Sequence, residues 1–168
     1  MKVEPLGPSH NRAAFHCGVA ELDQYLHHQA SQDAKRKVAA PFVMIDTSGA
    51  GVILGYYTLS AYAVRLQELP EPLARKLPRY PLLPATLVGR LAVGSEHRGR
   101  NLGRLLLMDA LHRSWRNTAE IGSIGVVVEA YDESARAFYR RHEFTSLLDR
   151  PDKLFLSMRT IEKAFRNF

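Results

Sequence analysis

The spacing of apolar residues in the first third of the chain predicts one helix followed by two strands. Residues 19–30 place apolar side chains on one helical face, and the pattern can continue to Asp33; these side chains are Leu22, Tyr25, Leu26 and Ala30. Apolar runs over residues 38–46 and 52–64 predict strands, with a hairpin-type turn at residues 47–51. Gly55 inside the second strand indicates a bulge or a close approach.

The pattern then changes to a strand, a loop and a helix. Residues 87–93 form a short apolar run, residues 94–104 are rich in glycine and arginine, and leucines from Leu102 to Leu111 follow at helical spacing. The remaining predicted elements are a strand covered on both faces, a helix with Asp132 as N-cap, a last strand and a tail helix; they span residues 121–130, 132–142, 154–158 and 161–168.

Five prolines in residues 65–84 exclude a long helix or a central strand there. We expect a long surface connection with one helical turn at residues 71–77, lying either near a substrate groove or on a plain surface. The element order predicts an α/β fold with a mixed sheet, in one domain spanning residues 1–168.

Composition favours a soluble globular protein, since 46% of the 168 residues are hydrophobic and 24% are charged. No apolar run is long enough to span a membrane, and the first residues lack an apolar signal region. Cys17 is the only cysteine, which excludes an internal disulfide and suits the cytoplasm. The net charge of +6 suggests polyanionic partners, such as coenzyme A or nucleic acid.

The loop at residues 94–104 has the chemistry of an anion cradle. Its glycines allow close backbone approach, and the helix that follows begins with N–H groups that have no internal partner. Neither a Walker A sequence nor GxGxxG is present, so this is not a P-loop or a dinucleotide fingerprint. The alternative is a basic surface turn before a core helix.

The sequence Arg-Gly-Arg-Asn-Leu-Gly at residues 98–103 closely resembles the Q/R-x-x-G-x-G/A loop of GNAT acetyltransferases. Asn101 stands at the middle glycine, and asparagine is well suited to a left-handed conformation. Residues 132–144 (DESARAFYRRHEF) resemble a second GNAT motif, with Asp132 in place of Asn and Glu143 in place of Gly. Three further stretches resemble the GNAT toxins of type II toxin–antitoxin systems: FHCG with LDQYL, GYYTLS, and GRLAV.

The resemblance implies an acetyl-CoA-dependent enzyme that acetylates the α-amine of aminoacyl-tRNA and stops translation. It implies that Tyr139 is the acid that protonates the leaving thiolate, although the helical pattern alone favours a packed tyrosine. No general base stands out in the sequence; Glu129 is a reserve candidate, with a strand-end surface carboxylate as the alternative. A backbone N–H on the strand at residues 91–93 can polarise the thioester carbonyl. The implied cofactor-binding residues are Leu91, Ala92, Val93, Arg98, Gly99, Arg100, Asn101, Leu102, Gly103, Arg104, Asp132, Ala135 and Phe138.

Separate basic clusters are candidates for binding tRNA, or alternatively form a scattered solvated surface. The candidates are Lys35, Arg36, Lys37, Arg75, Lys76, Arg90, Arg136 and Arg140. The family further implies a ribbon-helix-helix antitoxin and often a homodimer. No metal-ligand motif is present, and Cys17 is expected to have a packing role.

Two other functions stay open on the sequence alone. The acceptor could be a protein N-terminus, a lysine or a small amine. Alternatively, the chain could be a non-catalytic module that binds acyl-CoA or RNA, since Asn101 and Glu143 depart from the family pattern.

Overall fold

The computed structural model describes residues 1–49 and 51–167. The elements follow in chain order and alternate between helices and strands. They are β1 (Lys2–Pro5), α1 (Ala20–Gln24), a π-helical turn (Tyr25–Gln29), α2 (Ala30–Arg36), β2 (Ala40–Ile45), β3 (Ile53–Arg65), a 3₁₀ turn (Leu66–Glu68), α3 (Glu71–Ala74), β4 (Leu82–Val93), a 3₁₀ turn (Ser95–His97), α4 (Leu102–Asn117), β5 (Gly125–Glu129), α5 (Glu133–Arg141), β6 (Thr145–Leu147), β7 (Arg150–Ser157) and α6 (Met158–Arg166).

The strands form one mixed sheet in the order β1-β2-β3-β4-β5-β7-β6, which confirms the predicted α/β class. β4 and β5 are parallel, with Thr86 opposite Val126 and Val88 opposite Val128. The pairs β1–β2, β2–β3, β5–β7 and β6–β7 are antiparallel. As expected for a strand covered on both faces, residues 125–128 of β5 are all buried.

The chain divides into two compact units. Unit 1 comprises residues 1–60 and 89–110, and unit 2 comprises residues 61–88 and 111–168. Each unit has its own cluster of buried apolar side chains. The unit 1 cluster contains Phe15, Cys17, Leu26, Val43 and Tyr56, and the unit 2 cluster contains Val64, Leu69, Leu83, Val127 and Phe155. The prediction of one domain over residues 1–168 stays a prediction.

The structure corrects several predicted elements. The proline argument was wrong at Pro84, which lies within β4. A proline is tolerated there because the ladder with β5 begins at Thr86, and the Pro84 carbonyl accepts a hydrogen bond from the Ile124 N–H at 2.8 Å. The predicted helix at residues 19–33 continues to Arg36 but changes to π-helical geometry at Tyr25–Gln29.

Two short strands were missed, β1 and β6, because strands of four and three residues carry too little periodicity. The tail helix begins earlier than predicted, at Met158, where the Ser157 side chain caps the Thr160 N–H. Ala50 in the predicted turn and Phe168 at the end of the predicted tail helix lie outside the described residues. Within the described residues, none of the helices is long and apolar enough to cross a membrane.

Candidate functional site

The glycine-rich loop of unit 1 has the backbone geometry that its sequence predicts. Gly99 has φ +77° and Asn101 has φ +62°, so both residues are left-handed. Asn101 therefore adopts the left-handed conformation that was predicted for it at the position of the middle glycine of the GNAT motif. α4 begins at the next residue, Leu102, and the first N–H groups of a helix have no partner within the helix. A helix start of this kind suits a phosphate.

The conformation of Asn101 gives a prediction about substitution. Asn101→Gly should keep acetyl-CoA binding, whereas Asn101→Val should weaken it, because a β-branched residue is strained at positive φ by about 1–3 kcal/mol. Calorimetric titration with acetyl-CoA measures the difference. Equal affinity in both variants would show that binding does not depend on the left-handed turn.

The last three residues of β4, which are Leu91, Ala92 and Val93, lead directly into this loop. Gly55 on β3 lies against this segment: a Cβ added at Gly55 would be 2.8 Å from the Ala92 carbonyl oxygen and 2.7 Å from Leu106 Cδ1. The register of β2 against β3 also shifts beside Gly55, between Met44 and Ile45. The sequence prediction of a bulge or a close approach at Gly55 is thus confirmed in both forms.

Tyr139 belongs to unit 2, on α5. The helix begins where the Asp132 carboxylate accepts a hydrogen bond from the Ala135 N–H at 2.8 Å, so Asp132 is the predicted N-cap. The Tyr139 ring is buried, and its centroid lies 5.2 Å from that of Phe138 and 5.5 Å from that of Phe144. Burial, with a smaller contribution from Tyr131, raises the pKa of the Tyr139 phenol above its usual value of 10. The phenol is therefore a proton donor at neutral pH.

The turn after α5 holds the second departure from the family pattern. Glu143, which replaces the usual glycine, has φ +71°, so a glutamate occupies a left-handed position. Its N–H donates to the Arg140 carbonyl at 3.0 Å, and the Phe144 N–H donates to the Tyr139 carbonyl at 3.2 Å. These two hydrogen bonds close the turn with a glutamate at the left-handed position.

The predicted basic residues have different environments. Arg136 and Arg140 share a face of α5 as predicted, but both pair with Glu133, through Nε–Oε2 at 2.8 Å and Nη1–Oε1 at 3.5 Å. This counter-ion was missed, although its spacing of three and seven residues was visible in the sequence. Arg90 is half-buried, with its guanidinium carbon 3.5 Å from the centroid of the Tyr25 ring, where it forms a cation–π contact.

The other predicted bases are exposed. Lys35 and Arg36 lie in the last turn of α2, and Lys37 ends it with φ +61°. Arg75 pairs with Glu71 at 3.6 Å on the surface, and Lys76 follows it. The side chains of these residues are exposed to solvent, whereas the guanidinium of Arg90 lies against an aromatic ring.

Comparison with known proteins shows the family to which this chain belongs. Residues 42–146 match the family described as the acetyltransferase (GNAT) domain. This chain is a GNAT acetyltransferase. It is 32% identical over 146 residues to the tRNA-acetylating toxin of Mycobacterium tuberculosis, a match that covers 87% of this chain and 85% of that protein.

Two solved structures extend the likeness across nearly the whole GNAT chain. AtaT complexed with acetyl-methionyl-tRNAfMet has 26% identity and a TM-score of 0.90, covering 98% of each chain. AtaTR bound with AcCoA has 26% identity and a TM-score of 0.86, covering 98% of this chain and 97% of that one. The fold of this chain is that of these proteins.

The raised pKa of Tyr139 predicts the pH profile that this GNAT enzyme should show if Tyr139 is its general acid. As pH increases, kcat/KM should rise as the acceptor amine loses its proton near pKa about 8, then stay level to about pH 10. Burial keeps the Tyr139 phenol protonated through that range, since its pKa lies above 10. Initial rates across a pH series test this, and a fall in rate between about pH 8 and about pH 9 would assign the acid to another group.

Glu129 has a partner that limits it as a base. At the end of β5 its Oε1 lies 3.0 Å from Lys153 Nζ, and the pKa of Lys153 is raised by this hydrogen bond despite its partial burial. Lys153 Nζ also lies 5.5 Å from the Tyr62 ring centroid. The pairing supports the structural interpretation of Glu129, as a carboxylate that neutralises a lysine.

The surroundings of Cys17 favour the packing role that the sequence predicts. Burial raises the pKa of the Cys17 thiol to about 11, so the reactive thiolate is scarce at neutral pH. Among the residues that the structure describes, no group of three or more His, Cys, Asp or Glu side chains could hold a metal ion.

Proposed function

We propose that this protein is an acetyl-CoA-dependent N-acetyltransferase toxin that acetylates the α-amine of aminoacyl-tRNA and thereby blocks translation. The observation that carries the proposal is its 32% identity to a tRNA-acetylating toxin over most of both chains. The likeness to AtaT in complex with acetyl-methionyl-tRNAfMet supports the same acceptor. The likeness to AtaTR bound with AcCoA supports the acetyl donor.

In this proposal the pyrophosphate of acetyl-CoA binds at the start of α4. The backbone N–H groups of residues 99–104 provide hydrogen bonds, and the exposed side chains of Arg100 and Arg104 provide positive charge. Leu91, Ala92 and Val93 pair with the pantetheine arm, and a backbone N–H of this strand polarises the thioester carbonyl. Ala135 and Phe138 of α5 complete the cofactor-binding set, with Asp132 acting through the helix start that it caps.

The chemical step is direct transfer. The neutral α-amine attacks the thioester carbonyl, the C–N bond forms, and the tetrahedral intermediate collapses as the C–S bond breaks. The phenol of Tyr139 donates its proton to the departing thiolate. The amine reaches this step neutral, since an amine with a pKa of about 8 is already partly deprotonated at pH 7. The proton that its nitrogen loses as the amide forms goes to water, and the Tyr139 phenolate takes a proton back from water.

The exposed cations provide the nucleic-acid contacts in this proposal. We assign tRNA binding to Lys35, Arg36, Lys37, Arg75 and Lys76, with Arg136 and Arg140 contributing once phosphates compete with Glu133 for them. Arg90 is a weaker candidate than the sequence indicated, since Tyr25 covers it.

Salt dependence tests the acceptor. If four phosphates are engaged, the log–log slope of tRNA affinity against salt should be about −3, at roughly −0.7 to −0.9 per phosphate. The experiment measures KM for charged tRNA across a salt series in the wild type and in the pairs Lys35→Glu/Arg36→Glu and Arg75→Glu/Lys76→Glu. Each pair should raise KM and flatten the slope. A flat response in the wild type would instead favour a protein N-terminus, a lysine or a small amine as acceptor.

The product must also be identified. Incubation with labelled acetyl-CoA and total charged tRNA should label the aminoacyl end of tRNA, and expression in cells should arrest growth. Label in protein or in small amines, without growth arrest, would contradict the proposal. We include a ribbon-helix-helix antitoxin, a homodimer and a cytoplasmic location in the proposal, on the family resemblance.

A further inference from the structure

The FHCG stretch of the sequence has no role in the chemistry proposed above. It lies against the glycine-rich loop at residues 94–104, which we call the acetyl-CoA loop. Residues 15–18, which we call the strap, precede α1 in unit 1. The side chains of Phe15 and Cys17 are buried in the unit 1 core. Gly18 has φ +89°, so the strap ends on a left-handed residue.

Three consecutive carbonyl groups of the strap accept hydrogen bonds. The Phe15 oxygen accepts from His27 Nε2 at 2.7 Å, and the His16 oxygen accepts from the Ser95 N–H at 2.8 Å. The Cys17 oxygen accepts from Arg98 Nη2. Two of the three donors therefore belong to the acetyl-CoA loop, and the third belongs to the π-helical turn.

The strap is also fixed from its other side. The Cys17 N–H donates to Asp23 Oδ1 at 2.8 Å, and the second carboxylate oxygen of Asp23 lies 3.0 Å from His16 Nδ1. Asp23 itself is buried. The strap is thus hydrogen-bonded to α1 through Asp23 and to the loop through Ser95 and Arg98.

The Arg98 side chain makes a contact that its predicted role does not require. Arg98 is the first residue of the GNAT-like motif and was predicted to bind pyrophosphate by charge. Its guanidinium donates a hydrogen bond to the Cys17 carbonyl, and a Cβ added at Gly18 would lie 3.2 Å from the same Nη2 atom. Besides the Ser95–His16 hydrogen bond, the loop before Gly99 has one further backbone hydrogen bond, from the Gly94 N–H to the Leu54 carbonyl at 2.8 Å.

We infer that Arg98 is a positioning residue, which fixes the acetyl-CoA loop by binding the strap at Cys17, and that the strap is the support of the cofactor site in unit 1. The guanidinium geometry matters in this role more than the charge. The inference rests on the proposed use of acetyl-CoA and adds to it the function of residues 15–18. The phosphate charge is then met by the backbone of residues 99–104 and by Arg100 and Arg104.

The test separates geometry from charge. Calorimetric titration with coenzyme A is carried out on the wild type and on Arg98→Lys, Arg98→Ala, Gly18→Ala and Arg104→Ala, at about 0.05 M and about 0.5 M salt. Gly7→Ala is the matched control, because a Cβ there meets only ordinary contacts at 4.0 Å. The double variant Arg98→Ala/Gly18→Ala completes a cycle.

We expect Arg98→Ala to weaken binding about 10- to 100-fold, the scale for a hydrogen bond to a charged group. Arg98→Lys should fall to the same level, Gly18→Ala should also lose affinity without any change of charge, and the double variant should be no worse than Arg98→Ala. The loss in Arg104→Ala should shrink at high salt, whereas the loss in Arg98→Ala should not. Wild-type affinity in Arg98→Lys, or a loss in Arg98→Ala that shrinks with salt as in Arg104→Ala, would overturn the inference.

Amide hydrogen exchange in the ligand-free proteins tests, independently of cofactor binding, whether Arg98 fixes the loop. Exchange of residues 99–104 should be faster in Arg98→Lys and Arg98→Ala than in the wild type and Gly7→Ala. Unchanged exchange would overturn the inference even if the wild type binds coenzyme A. A wild type that does not bind coenzyme A would contradict the proposed function alone, and the exchange result would still judge the strap.

Discussion

Tyr139→Phe should lower the turnover number by about 10²–10⁴, the usual range for loss of a general acid. The substitution removes one oxygen atom and leaves the ring contacts with Phe138 and Phe144 in place. Without the phenol, the thiolate must leave unprotonated or take its proton from water. The affinity for acetyl-CoA should stay unchanged, because the hydroxyl acts when the C–S bond breaks.

The measurement is single-turnover acetylation of charged tRNA, with calorimetric titration of acetyl-CoA alongside it. Tyr80→Phe is the matched control, since Tyr80 is 62% exposed and should tolerate loss of its hydroxyl. In cells, Tyr139→Phe should relieve growth arrest and Tyr80→Phe should not. Near-full activity in Tyr139→Phe would reduce Tyr139 to a packing residue of α5.

Gly55→Ala should destabilise the protein by about 1–3 kcal/mol, the usual cost of overpacking a filled core. The added Cβ would lie 2.8 Å from the Ala92 carbonyl oxygen, and a backbone oxygen cannot move away alone. Because Ala92 belongs to the strand assigned to the pantetheine arm, acetyl-CoA affinity should fall together with stability.

Urea unfolding and acetyl-CoA titration measure the two effects of Gly55→Ala. Gly122→Ala is the control, because a Cβ at Gly122 meets no atom within 4 Å. Normal stability in Gly55→Ala would show that β3 and β4 can separate at little cost. Lost stability with normal affinity would show that the strand at residues 91–93 does not position the cofactor.

The parts of the site that sequence could predict are those encoded by neighbouring residues. The strand–loop–helix at residues 87–115 follows from local apolar spacing and glycine content, and the left-handed Asn101 follows from the intrinsic preference of asparagine. Asp132 as N-cap is likewise a local property. These features need no knowledge of tertiary contacts.

The features that sequence could not predict depend on distant partners. Nothing near Arg90 in sequence shows that Tyr25 lies against it, and nothing near Arg98 points to the Cys17 carbonyl. The π-helical turn was missed because its periodicity differs from that of an α-helix by too little to detect over five residues. Pro84 was misjudged because the rule against proline in strands depends on which backbone groups pair.

The strap has a consequence for the time at which the protein becomes active during its synthesis. Cys17 and Arg98 are separated by 81 residues, so the ribosome must add that much chain before the two can meet. At about 5–20 residues per second this takes roughly 4–16 s. Until then residues 98–104 do not yet exist, so the strap has no loop to bind. Under the proposed function, a nascent chain could not hold acetyl-CoA while its first hundred residues are being made, so no acetyltransferase activity would arise at that stage of its own synthesis.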